Sequence, residues 1–399
     1  MAVDLLPFPL MPAMDGVFLS STYAGIRKQR ADDLVLIALP NSATVAGAFT
    51  QNAYCAAPVT LCRRHLRQTA NSRYLLINAG TANACTGDRG YQHAQRACDA
   101  LARATAVNAE QVLPFSTGVI GEPLPIENIQ KAIPALIGGL AAEHWREAAE
   151  GMMTTDTRPK GATCTPIING HPVIINGIAK GAGMIKPNMA TLLAYIVTDA
   201  QVHASLLRRL VKEVADQSFN RITVDGDTST NDSCILAATG TGAVGFNSDG
   251  DPGYTEFRRA VIEISRTLAQ AIVKDGEGAT KFITIQVEQG QSAQECLQVA
   301  YAIAHSPLVK TAFFASDPNW GRIVAAIGYA GLANLDIAPI RVYLDDVLIV
   351  ENGGAVHLWR NDLNKQSFLR VRLSGTRNNK DGLSSRIVAV SGNTRMERR

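Results

Sequence analysis

Thr191 stands between a glycine-rich loop and an apolar run of strand length, and that setting makes its hydroxyl the first group to weigh as a reactive one. The preceding stretch, Ala179-Lys180-Gly181-Ala182-Gly183-Met184-Ile185-Lys186-Pro187, combines glycines with a proline and must be loop. Leu192 to Val197 then runs apolar without a polar break, as a strand covered on both faces does. A hydroxyl at the head of such a strand is where a nucleophile would be presented. The plainer alternative is a β-favouring threonine that merely opens the strand. Two further places draw notice. Ser116-Thr117-Gly118-Val119-Ile120-Gly121 reads from spacing alone as a turn, and Glu277 sits between Gly276 and Gly278, which on its own suggests a solvated turn.

Other chemistries are excluded by spacing. Arg221 to Ser233 is rich in Asp, Asn and Thr, but the glycine that a calcium loop starting at Asp225 requires is Thr230, and its closing glutamate is Leu236. Gly240-Thr241-Gly242-Ala243-Val244-Gly245 spells a dinucleotide pattern, yet Phe246-Asn247-Ser248-Asp249-Gly250-Asp251-Pro252-Gly253 cannot be the helix that would hold a pyrophosphate. The seven histidines show no ligand spacing, so no metal is expected, and with no coenzyme A motif apparent no other cofactor is expected either.

The elements that must position these groups alternate. Leu34 to Leu39 and Val45 to Thr50 read as two adjacent strands, and Tyr74 to Ala79 as a third that runs into the small polar tract Asn78 to Gly87. A helix is expected over Gln92 to Ala106, with Ala94, Cys98, Leu101 and Ala102 on one face, and another over Ala141 to Gly151. Val173 to Ala179 leads as a strand into Lys180. Leu207, Leu210, Val211 and Val214 mark an amphipathic helix over Ala204 to Phe219. Thr255 is expected to cap a helix carrying Phe257, Val261, Ile264, Leu268 and Ile272, followed by a strand from Phe282 to Val287. Ser292 with Glu295 suggests a capping box, and Ile340 to Val350 a hairpin with Asp345-Asp346 at its turn. The class is therefore α/β, with strands and helices arranged about a cleft that receives the glycine loops.

Composition sets the limits. At 399 residues, 46% hydrophobic and 18% charged, the chain is an ordinary globular protein with one large or two smaller cores. A net charge of +3 is negligible at this length and argues for neither nucleic acid nor an anionic membrane surface as partner. No apolar run approaches the roughly 20 residues of a spanning helix, and the acidic, proline-containing N-terminus does not read as a signal peptide. Seven scattered cysteines without a Cys-x-x-Cys pair suggest small buried hydrophobes in a reducing cytoplasm.

Taken together, Lys180-Gly181-Ala182-Gly183-Met184-Ile185, Pro187, Met189-Ala190-Thr191, the tract 78–87, Ser116-Thr117-Gly118, Thr154-Thr155-Asp156, Asp275 to Lys281, Ser306-Pro307-Leu308-Val309-Lys310-Thr311 and Ser316 to Arg322 resemble the ornithine acetyltransferase (glutamate N-acetyltransferase, ArgJ) family. The resemblance runs from about residue 10 to about 352 in the family's order and spacing. It implies a self-cleaving N-terminal-threonine acyltransferase fold, its sheets covered by helices, with a central active-site cleft. It implies a cut between Ala190 and Thr191, giving an N-terminal chain 1–190 and a C-terminal chain 191–399 that begins at the nucleophile. Two of each chain would associate. Thr117 and Gly118 would form the oxyanion hole, and a glycine N–H can be aimed there without obstruction. Thr154, with Thr155 beside it as the alternative, and Lys180, Thr191 and Glu277 would contact substrate. After about residue 352 the chain departs from the family's ending: Asn393 and Thr394 lack the spacing of its final motif, and no site residue is carried onto the tail.

The implied reaction is ping-pong transfer of acetyl from N2-acetylornithine to glutamate through an acetyl-threonine, with the freed α-amine of Thr191 as base. Family members differ on whether acetyl-CoA also donates. Two other classes stand beside this one. Related self-cleaving aminopeptidases share the logic but use serine, and a binding protein inactivated by its tail would show one band on a gel instead of two.

Overall fold

The computed structural model describes residues 2–27, 30–186 and 192–344, together with strands at Val347–Glu351, Trp359–Arg360, Arg370–Gly375 and Leu383–Ala389. The chain forms two compact units. One contains Leu6–Asn220 and Asp227–Ile272; the other contains Met1–Leu5, Arg221–Gly226 and Val273–Arg399.

The first of these is built on two sheets. A four-stranded sheet runs in the order Phe18–Thr22, Leu34–Ala38, Tyr74–Thr81, Val112–Val119, with only the last pair parallel. A five-stranded sheet runs Thr44–Phe49, Ser233–Ala238, Leu193–Thr198, Ile175–Lys180, Lys160–Cys164, with Leu193–Thr198 and Ser233–Ala238 parallel. Alternation along the strands explains their unbroken apolar runs. Val35 and Ile37 face a core shared with Tyr195, Val197 and Ile235 of the other sheet. Leu34 and Leu36 face outward, into a second core with the helices Gly87–Thr105 and Ile126–Gly138. Phe115 and Tyr195 meet edge to face at 5.2 Å across the two sheets, a contact worth about 0.5–1.5 kcal/mol beyond its buried area. The outer face of the five-stranded sheet is covered by the helices Ala204–Gln217 and Tyr254–Lys274. Gly177 permits that close cover, because a Cβ there would come within 2.8 Å of Leu268.

The other unit carries a mixed sheet in the order Ile222–Thr223, Leu383–Ala389, Lys281–Glu288, Arg370–Gly375, Arg341–Leu344, Val347–Glu351, Trp359–Arg360. Ile283, Ile285, Val287 and Val342 pack there against the helices Ala293–His305, Pro307–Phe314 and Trp320–Gly328. The expected hairpin is present as Arg341–Leu344 paired antiparallel with Val347–Glu351; its turn, Asp345-Asp346, lies outside the described residues.

Several expectations need correction. The runs at 34–39 and 45–50 are strands but not neighbours: the tight turn closed by Ala43 N–H donating to Pro40 carbonyl lets the chain step from one sheet to the other. Thr255 is not a cap but the second residue of Tyr254–Lys274. The helix expected from Ala141 begins at Trp145, since Ala141 exchanges both backbone hydrogen bonds with Leu19 at 2.9 and 3.0 Å. Ser292 accepts from Glu295 N–H, whereas Glu295 accepts from Gln291, one residue before the cap, so the box is not reciprocal. All seven cysteines are free, but only Cys62, Cys98, Cys234 and Cys296 are buried; Cys55 and Cys164 are half-buried and Cys85 is exposed. Among the described residues no helix is long and apolar enough to cross a membrane.

Candidate active site

The ends of strands from both sheets of the first unit converge on Lys180. Val112–Val119 and Tyr74–Thr81 pair in parallel, so Thr117 lies opposite Ala79 and Gly118 opposite Gly80. Gly118 has φ +132°, a backbone conformation essentially closed to other residues, and a Cβ there would collide with the Gly80 carbonyl group. The glycine is therefore required by the fold as well as being suited to an unobstructed N–H. The Thr117 side chain, 9% exposed, accepts from Lys180 Nζ at 3.0 Å. Lys180 Nζ also donates to Thr154 Oγ1 at 2.9 Å. Three of the residues singled out from sequence thus form one hydrogen-bonded cluster.

Beneath it lies a charge pair that the sequence did not mark. Asp156 Oδ1 accepts from Lys160 Nζ at 2.7 Å and from Gly181 N–H at 2.6 Å, and its Oδ2 accepts from Thr154 N–H at 3.1 Å. Both side chains of the Asp156–Lys160 pair are fully buried. Burial by itself would raise the Asp156 carboxyl, but the ammonium groups of Lys180 and Lys160 outweigh it and hold the group well below the usual carboxylate range. Burial likewise pulls the Lys180 amine below its ordinary value, against the opposing pull of Asp156.

The acidic tract rejected as a calcium loop has a structural role. Asn231 Nδ2 donates to Ala82 carbonyl at 2.5 Å and to Ser116 carbonyl at 2.9 Å, fixing this tract to the ends of both parallel strands. Asp232 is buried and its carboxyl is pushed up by that burial, against donation from Ser229 and the Leu192 amide; its Oδ2 has no partner among the described residues. The polar tract after Tyr74–Ala79 is tied in similarly, with Ser116 Oγ donating to Asn78 Oδ1 at 2.5 Å and Asn83 Nδ2 donating to Gly90 carbonyl at 2.9 Å.

Ala190 and Thr191, the expected cut and nucleophile, lie outside the described residues, as do 187–189. The flanks are anchored. Thr228 Oγ1 donates to Lys186 carbonyl at 3.1 Å, Ser233 N–H donates to Leu192 carbonyl at 2.9 Å, and Leu193 sits opposite Lys180 in the antiparallel register. Glu277 belongs to the other unit, where it is exposed in a turn closed by Ala279 N–H donating to Gly276 carbonyl at 2.9 Å.

Sequence reasoning missed Asp156, Lys160, Asn231 and Asp232. Asp156 was visible in the Thr154-Thr155-Asp156 string, and what hid its part is that the Lys160 partner is four residues on, outside any motif.

Among solved structures, the chain is similar to the arginine biosynthesis bifunctional protein argJ of Bacillus halodurans, at 32% identity over 48% of this chain and 97% of that one, with a TM-score of 0.41. It is similar to the ornithine acetyltransferase of Mycobacterium tuberculosis complexed with ornithine, at 30% identity over 45% of this chain and 93% of that one, with a TM-score of 0.39. An L-aminopeptidase D-Ala-esterase/amidase from Ochrobactrum anthropi matches at 12% identity over 68% of this chain and 88% of its own, with a TM-score of 0.46. The family model of ArgJ matches residues 18–376, a span that reaches past residue 352 and takes in the strand Arg370–Gly375. With that match over most of its length, the chain belongs to the ArgJ family.

Proposed function

We propose that this protein cuts itself between Ala190 and Thr191 and then moves acetyl from N2-acetylornithine to glutamate through an acetyl ester on Thr191. Family membership carries the coarse part, an acetyltransferase of arginine biosynthesis. The finer reading is supported chiefly by one observation: Lys180 bridges the hydroxyls of Thr117 and Thr154 at 3.0 and 2.9 Å, on a strand whose register sets Lys180 opposite Leu193, two residues past the proposed nucleophile. In this reading Thr117 and the Gly118 N–H stabilise the tetrahedral oxyanion, Thr154 and Lys180 contact substrate, and Glu277 meets its amino end. The freed Thr191 amine, with an ordinary pKa of about 7.7–8.0, serves as base. The same reading has two chains of each kind associating in the cytoplasm, with no cofactor; acetyl-CoA as an additional donor is open to direct assay.

The test is a mass spectrum. Protein mixed with N2-acetylornithine alone should show chains 1–190 and 191–399, the second carrying one acetyl group on Thr191. An uncut chain, or transfer that occurs only with both substrates present and never leaves an adduct, overturns the reading. Thr117→Ala should lower kcat by about 10²–10³ with KM nearly unchanged, because an oxyanion donor acts mainly in the transition state. The variant should also mature slowly, since self-cleavage passes through a tetrahedral intermediate too. Glu277→Gln should do the reverse, raising KM for N2-acetylornithine roughly tenfold through a lost charge-assisted hydrogen bond while leaving maturation alone.

A further inference from the structure

Lys180 is buried, yet both of its visible partners are hydroxyls that could have been satisfied by water or by one another. An ammonium has donors and no acceptor, so in both bonds the threonine oxygen accepts. Each hydroxyl then keeps its own proton for a different partner. For Thr117 this matters, because a hydroxyl that stabilises an oxyanion has to donate.

Asp156 holds the arrangement by backbone as well as by charge. Its carboxylate takes the N–H of Gly181, the residue after Lys180, at 2.6 Å, and the N–H of Thr154 at 3.1 Å. It thereby pins the main chain beside the amine and the main chain beside one of the two hydroxyls. Lys160 Nζ, at 2.7 Å, claims part of the same carboxylate and also donates to Arg158 carbonyl at 3.2 Å. Two buried cations thus share one buried anion. The other charged groups that act on Lys180 are Asp232, which opposes the effect of burial, and Arg27, which adds to it.

We propose that Asp156 and Lys160 are positioning residues for acetyl transfer: Asp156 aims the Lys180 ammonium at the hydroxyls of Thr117 and Thr154, leaving the Thr117 proton free for the oxyanion, and Lys160 sets how much of the Asp156 charge Lys180 feels. This rests on the proposed oxyanion role of Thr117. It assigns to two residues that touch no substrate a measurable share of the pH dependence. Loss of the Lys180 proton should mark the alkaline limb of the kcat profile, because a neutral amine can accept from Thr117 and turn its proton away from the reacting oxygen.

The test reads Lys180 and turnover separately. Lysine labelled with 13C at Cε gives the titration of Lys180, assigned by its loss in Lys180→Gln, and steady-state kinetics give the alkaline limb. In the wild type the two should coincide. Lys160→Met removes a cation that competes for Asp156 and repels Lys180, and should move both upward by on the order of one pH unit. Lys160→Arg, which keeps the charge, should leave them near the wild-type position. Asp156→Asn, in whatever fraction folds, should move both downward. A purely structural role for the pair would not produce shifts of opposite sign. A wild-type limb that does not coincide with the Lys180 titration overturns the proposal, and that comparison needs no variant to fold. So does a Lys160→Met limb that stays in place. A wild type without acetyl transfer would instead defeat the proposed function, while the 13C titrations would still report the charge network.

Discussion

Thr191→Ala should accumulate as a single uncut chain of 399 residues with no measurable acetyl transfer. Self-cleavage needs a hydroxyl to attack the Ala190 carbonyl; the C–N bond breaks as the ester forms, which frees the amine that serves as base, and water then splits the ester and frees the hydroxyl, so alanine removes the first step and with it the rest. Two functions vanish at once, which makes this the largest effect expected from one substitution. Thr191→Ser keeps a hydroxyl and should retain some cleavage. Gel electrophoresis and N-terminal sequencing of both variants read the outcome directly. Efficient processing of the alanine variant would refute the mechanism, because no nucleophile would remain at that position.

Asp156→Asn should cost about 3–5 kcal/mol of stability, measured by urea unfolding at neutral pH. The substitution preserves size but leaves two buried lysines without their shared counter-ion. Its pH signature has a definite sign. The Asp156 carboxyl is held below its unfolded value, so its contribution is present above that value, about 3.9, and is lost as pH falls below it. Wild-type stability should therefore drop in acid more steeply than that of the variant. The variant should instead gain stability as pH rises toward the ordinary lysine range, where its unpaired amines can shed their protons. Equal stability of the two proteins at neutral pH would show that Asp156 and Lys160 are not the buried pair described above.

The two experiments probe the proposed cut and the buried charge pair in turn. The first concerns a residue at the chain's proposed cut, legible from the sequence around it. The second concerns a carboxylate with two partners near it in sequence, Lys160 and the Thr154 backbone, and one that folding brings from 25 residues away, the N–H of Gly181.

That contrast runs through the molecule. Sequence by itself determined the apolar strands and amphipathic helices, because their signal is local. The runs at 34–39 and 192–197 read as strands, the second as one covered on both faces, and Leu207, Leu210, Val211 and Val214 as one helix face. It also determined the family, through motif wording that a match over residues 18–376 bears out. Where local signals were weak or shared, it failed: Thr255 looks like a cap but lies inside a helix, and Ala141 has helix propensity but is taken by a bridge to Leu19. Only tertiary structure decided which strands share a sheet, and with it which charges meet. The packing of one sheet on the other brings Thr117 Oγ1 to 3.0 Å from Lys180 Nζ, 63 residues away in sequence, and burial then makes one aspartate the shared counter-ion of two lysines. No spacing rule carries that information, because the strength of an ionic contact depends on how much water the fold removes around it, and the sequence does not state how much that is.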